Sequence, residues 1–226
     1  MTLTLHHWPE QERPRERLLK HGPQQLSDTE LLAIILRSGT RGFTVLELAG
    51  TLLTHFSSLR GVISASSHEL CAVPGIGKAR YCELQAAMEI CRRQLAEPLY
   101  KRSVFHCAED AKYYLRAELR DLKQEVFGVL MLDSQHQLIM FRKLFSGTIN
   151  AAAVYPREIV KQVIADHAAA IILVHNHPSG NPTPSEADIR LTRDIKHAMA
   201  LVDVEVLDHF IVADNQVCSL AQQGLM

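Results

Sequence analysis

His175 and His177 are separated by one residue, and Asp188 follows His177 by eleven residues with Ser185 between them. On an extended chain side chains alternate, so the two imidazoles of a His-x-His pair project from one face, close enough to share a cation. Asn176 points the other way. The residues before them, 168–174 (Ala-Ala-Ala-Ile-Ile-Leu-Val), form an apolar run too short to span a membrane, and it reads as a strand buried on both faces. The histidines therefore stand at the C-terminal end of a buried strand. After them come Pro178, Gly180, Pro182 and Pro184, which break any ladder. The spacing then predicts a helix start, with Thr183 as N-cap, Pro184 at the first position and Glu186 reaching back in a capping box. Leu191, Ile195, Ala198, Met199 and Val202 make one apolar stripe on that helix. Carried back three residues, the stripe reaches Asp188, with Ser185 one turn earlier on the same face. A carboxylate at the head of a core-facing stripe is costly unless something positive meets it.

A His-x-His pair alone is also what two ordinary polar residues at a strand end look like. The inward Asp188, with Ser185 beside it, favours a metal. Three nitrogen or oxygen ligands, His175, His177 and Asp188, leave a fourth tetrahedral position for water, which is the arrangement of a catalytic Zn²⁺ site and not of a closed structural one.

The pattern His-x-His, seven residues, Ser, two residues, Asp resembles the JAMM motif of the JAB/MPN metalloprotease fold. The stretches AAAIILVHNHPSGNPTPSEADIRLT, SGTINAAAVYPREIV and VLDHFIVAD together resemble the bacterial RadC-like family (UPF0758 type), whose members are often labelled DNA repair proteins; the resemblance covers nearly the whole chain. It implies an α/β fold, a cytidine-deaminase-like mixed sheet flanked by helices, and a zinc-dependent hydrolase cutting peptide or isopeptide bonds. The substrate would be a peptide or protein that the sequence does not specify. It also implies a general acid/base that is not itself a ligand. Of four glutamates in this part of the chain, Glu186 is assigned to the cap, Glu158 sits on a helix beside Pro156-Arg157, and Glu205 alternates outward between Val204 and Val206. Glu125 begins the first central strand, where the family places that group. Ser185 would donate a hydrogen bond to the developing oxyanion.

The rest of the chain must position these residues. At 226 residues it can hold one large or two small domains. Hydrophobic residues make up 47% and charged ones 22%, with mean hydropathy near zero, the balance of a globular protein. A net charge of -1 gives no global field towards nucleic acid or anionic lipid, so any such binding must be local. The five cysteines form no Cys-x-x-Cys pair and their number is odd; they read as small buried hydrophobes in a reducing cytoplasm. No apolar segment reaches about 18 residues, so neither secretion nor a membrane partner is expected.

Residues 1–95 read as an all-α helix-hairpin-helix-like domain. His6 and His7 lie in a terminus without period. Helices are expected from Pro14 to about Lys20, from the Ser27/Glu30 capping box to about Leu36, and from about Thr44 to His55. Val73-Pro74-Gly75-Ile76-Gly77-Lys78-Ala79-Arg80 is a tight hairpin leading into a helix through about Gln94. Such a hairpin exposes backbone N–H groups at a helix's positive end, which suits a phosphate oxygen, so Gly75, Gly77, Lys78 and Arg80 are candidate non-specific DNA contacts. Tyr81 stands where the motif usually has a small residue. Residues 96–104, with proline and charge, read as a linker.

Residues 105–226 read as the metallohydrolase domain. A helix from Cys107 to Leu119 precedes a strand at 125–133 and a return strand at 138–140, and residues 146–150 form a loop in which Asn150 serves either the cleft or a turn. A helix at 156–167 follows, and residues 203–212 read as two strand pieces interrupted at Asp208-His209, which either orient a ligand or bond to backbone.

Two other readings compete. One is a nucleic-acid hydrolase or repair factor guided by the hairpin; the other is a DNA-binding adaptor whose zinc is structural. A zinc deaminase is disfavoured because His-x-Glu and Pro-Cys-x-x-Cys are missing, and a His-Glu-x-x-His protease is excluded.

Overall fold

The computed structural model describes residues 9–104, 108–147 and 154–226. His6, His7, Cys107 and Asn150 lie outside the described residues. The chain forms two compact units, residues 1–91 and 92–226.

The first unit is helical, as expected. It contains α1 (Pro14–His21), α2 (Asp28–Leu36), α3 (Val45–Phe56), α4 (Leu59–Ser64), α5 (Ser67–Cys71) and the start of α6 (Lys78–Lys101). Ser27, Thr44 and Ser66 each close a capping box with the glutamate three residues on, so three helix starts are written locally. Leu32, Leu36, Leu48, Leu52 and Leu70 are fully buried and form the centre of its core. Tyr81 packs against the edge of that core, which gives the large residue a place in the hairpin. Gly75 has φ +91, and a Cβ there would lie 2.6 Å from the Thr40 Cγ2, so only glycine fits this turn.

In the expected linker, helix α6 continues to Lys101 with Pro98 inside it. Ala96, Leu99 and Val104 are buried in the core of the second unit. Proline removes one backbone donor from the helix, but the apolar side chains on either side of it have a core to enter, and burial decides.

The second unit is a five-stranded mixed sheet in the order β2-β1-β3-β4-β5. Its strands are β1 (Val126–Leu132), β2 (Leu138–Ser146), β3 (Ala170–Asn176), β4 (Glu205–Val212) and β5 (Val217–Ser219). Only the β3/β4 pair is parallel; the other pairs are antiparallel. One face packs under α7 (Ala108–Leu119) and the end of α6; the other packs under α8 (Pro156–Ala165) and α9 (Glu186–Ala200). Strands β1 and β3 lie inside the sheet and every residue of each is buried, as the continuous apolar run of residues 168–174 predicts.

Two strands differ from the expectation. β2 runs on to Ser146 at the sheet's edge, with Arg142 on one face bound to Asp166 and Lys143 on the other bound to Glu118. β4 is one strand, not two pieces. Ile171 pairs with Val206 but Ile172 pairs with Asp208, so Leu207 is an extra, bulged residue. The bulge reverses the alternation: Val206 and His209, three residues apart, both face α8 and α9. What reads in sequence as an interruption is the device that aims His209 at the site.

Candidate metal centre

His175 is the last residue but one of the buried strand β3 and lies opposite Phe127 of β1, whose ring stacks against it at 6.1 Å between centroids. His177 lies just past the strand on the same face. Asp188 stands in the first turn of α9. One ligand atom from each of these three residues lies within 4.8 Å of the others. His175 Nε2 is 2.9 Å from His177 Nε2 and 3.3 Å from Asp188 Oδ1, and His177 Nε2 is 3.8 Å from Asp188 Oδ2. Tetrahedral zinc with bonds near 2.0–2.1 Å would hold its ligand atoms about 3.3 Å apart, so the spacing suits such an ion.

The protons sharpen this fit. His177 Nδ1 is 2.7 Å from the Asn181 carbonyl oxygen, which only accepts, so Nδ1 carries the hydrogen and the Nε2 of a neutral ring carries a lone pair. His175 Nδ1 meets His209 Nε2 at 2.8 Å on its far side. The two Nε2 atoms then face each other beside a carboxylate. That gap calls for positive charge, a metal or a proton.

The helix start differs from the sequence expectation. Ser185, not Thr183, is the N-cap: its Oγ accepts from Asp188 N, while Asp188 Oδ2 accepts from Ser185 N at 2.7 Å and from Ser185 Oγ at 2.6 Å. Glu186 is merely the first helical residue and is exposed. Two overlapping capping boxes were available. The loop is held at Asn181, which binds His177 through its carbonyl and the Thr183 N–H through its side chain; this keeps Thr183 in the loop. The later start makes Asp188 both cap partner and candidate ligand, and Ser185 fixes its carboxylate.

Glu125 directly precedes β1, and its backbone carbonyl accepts from Gly147 N. Burial pushes its carboxyl above the ordinary carboxylate range; His177 lowers it and the Asp188 carboxylate raises it. The carboxyl is thus within electrostatic reach of both residues. Of its rivals, Glu158 pairs with Lys161, and Glu205 is exposed.

Asn176, on the opposite face from the histidines, is buried. Its Oδ1 accepts from Val126 N at 2.8 Å and its Nδ2 donates to Gln124 O at 3.1 Å and to Leu122 O at 3.4 Å. It clamps the chain on both sides of Glu125. The residue between the two histidines therefore positions the residue proposed to work with them, a link that alternation alone does not reveal.

Asp208 and His209 separate in role. Asp208 accepts from Ser219 Oγ and from the Ala221 N–H, tying the chain after β5 to β4. His209, fully buried, meets both His175 and Thr192. Thr192 lies one turn after Asp188, and that i+4 spacing was its only trace in the sequence.

In the first unit, the Arg80 guanidinium turns inward, donating to the carbonyls of Gly75, Ser38 and Gly39. It clasps the hairpin to the end of α2, so its charge is engaged within the unit; Gly75, Gly77 and Lys78 remain exposed.

A central strand whose end delivers two histidines, set against a helix with an aspartate in its first turn, fits a JAB-type domain. Residues 105–225 match the RadC-like JAB domain and residues 5–82 the UPF0758 N-terminal family. A UPF0758 protein of Alteromonas mediterranea is 55% identical over 219 residues, 97% of each chain. Those of Marinomonas sp. and Vibrio parahaemolyticus are 53% and 50% identical, covering 99% and 96% of this chain and 100% and 96% of their own. The chain belongs to the UPF0758 family of RadC-like JAB-domain proteins. No helix among the described residues is long and apolar enough to cross a membrane.

Proposed function

We propose that this protein is a zinc-dependent hydrolase of peptide or isopeptide bonds. The observation that carries this reading is the convergence of two imidazole lone pairs and one carboxylate with no proton of their own for the gap. His175, His177 and Asp188 would hold the ion. When bound, zinc would polarise the scissile carbonyl and acidify a water at the open position. Glu125 takes the proton from the attacking water and passes it to the leaving amine; its raised affinity for a proton suits both halves of that task. Ser185 orients Asp188 by donating its hydroxyl hydrogen to Asp188 Oδ2; during turnover that hydroxyl would turn from the carboxylate to donate to the developing oxyanion.

The test is metal content by mass spectrometry on purified full-length protein, followed by hydrolysis of a peptide and isopeptide panel. Wild type and Glu125→Ala are expected to hold one zinc per chain, and His177→Ala none. Glu125→Ala is expected to lose turnover. A wild type that holds no zinc after reconstitution would overturn the reading.

A further inference from the structure

Behind the candidate ligands, on the side away from solvent, lies a buried chain of four polar groups. Thr192 Oγ1 is 2.6 Å from the Asp188 carbonyl oxygen and 2.6 Å from His209 Nδ1, and His209 Nε2 is 2.8 Å from His175 Nδ1. Thr192, His209 and His175 are each at most 1% exposed, so water does not take part. Three contacts must be filled by three hydrogens, one from each side chain.

Only one distribution fills them. The Asp188 carbonyl oxygen has no hydrogen, so Thr192 donates to it. The hydroxyl then has only lone pairs for His209, so His209 donates from Nδ1. The Nε2 of His209 is left as an acceptor, and His175 donates to it from Nδ1. His175 Nε2 is consequently bare, facing His177 and Asp188. Any other placement leaves two acceptors 2.6–2.8 Å apart or two hydrogens in one gap.

We infer that Thr192 and His209 are positioning residues that fix the tautomer of His175, so that its Nε2 lone pair is presented to the metal. Metal-bound histidines commonly donate their second N–H to a carboxylate or backbone carbonyl. Here the acceptor is a second imidazole, which can face either way, and the backbone carbonyl acts one step removed through a threonine hydroxyl. The Leu207 bulge that aims His209 and the α9 turn that places Thr192 above Asp188 O are the backbone features that make this possible. The consequence for binding rests on the zinc reading above; the assignment of hydrogens does not.

The experiment therefore has two arms. In the metal-free full chain, imidazole ¹⁵N shifts should show both His175 and His209 protonated at Nδ1. Thr192→Val keeps the shape but removes the hydroxyl that accepts from His209, and it should shift His209, and with it His175, towards Nε2–H; Thr192→Ser should restore the wild-type pattern. In the second arm, zinc competition titrations should show affinity about 10–100-fold weaker in Thr192→Val, restored in Thr192→Ser. A wild-type His209 protonated at Nε2, or a folded Thr192→Val with unchanged tautomers and zinc affinity, overturns the inference. If wild type binds no zinc yet shows the Nδ1–H pattern lost in Thr192→Val, the relay stands and the zinc reading alone fails.

Discussion

His175 is held neutral down to about pH 4, chiefly by burial, with Asp188 raising its proton affinity and His177 lowering it. His209 is held well below the ordinary imidazole value by burial and by the same two histidines' charges, those of His175 and His177. An unfolded histidine takes its proton near pH 6.5, so between that pH and about 4 the unfolded chain binds protons that the folded chain refuses. Stability contributed by keeping these rings neutral is full above pH 6.5 and falls as pH drops through that window, by on the order of 3 kcal/mol for His175 alone. Urea unfolding in EDTA at pH 7 and pH 5 would measure it; equal midpoints at the two values would refute it. At this scale the sequence is most legible where periods are short. His175 and His177 share a face because strands alternate, and Asp188 heads a visible helical stripe. Thr192 escaped, and His209 was left between orienting a ligand and bonding to backbone, because their roles depend on which atom carries a hydrogen, and residue spacing says nothing of that.

Elements place these residues with devices of varied legibility. The capping box at Ser27 was read from the sequence, and those at Thr44 and Ser66, which were not, are equally local, whereas at α9 two boxes competed and a contact from His177 to the loop decided between them. The β4 bulge was invisible because it exists only in the pairing with β3. Asn176 shows how an element's end is fixed from outside it. Asn176→Ala would strand the Val126 N–H and free two carbonyls, costing about 2 kcal/mol in chemical denaturation; a change under about 0.5 kcal/mol would mean that the clamp is idle. In the first unit, Arg80→Ala should destabilise by about 1.5–3 kcal/mol, because three carbonyls lose a charged donor. Lys78→Ala, exposed, should stay within about 0.5 kcal/mol of wild type. Equal effects would remove the clasp from the account.

For the whole molecule, the sequence places the boundary where composition changes, and the family match to the JAB domain also begins at residue 105. Packing places it earlier, since Ala96, Leu99 and Val104 belong to the second unit's core. A fragment of residues 92–226 should accordingly be more stable than one of residues 105–226 by several kcal/mol, given that emptying a buried leucine site alone costs about 2–5 kcal/mol. Equilibrium unfolding of the two fragments would decide, and equal midpoints would return the boundary to residue 105. The segment between the two histidines and Asp188 carries Pro178, Pro182 and Pro184. Fixed φ angles narrow what the unfolded chain can sample, and hydrogen bonds at Asn181 and Ser185 already hold this segment without any ion. Capturing a cation then demands little ordering of the backbone. Amide hydrogen exchange across residues 177–188 should be nearly the same before and after zinc is added, and loading should proceed as a docking event with no folding step.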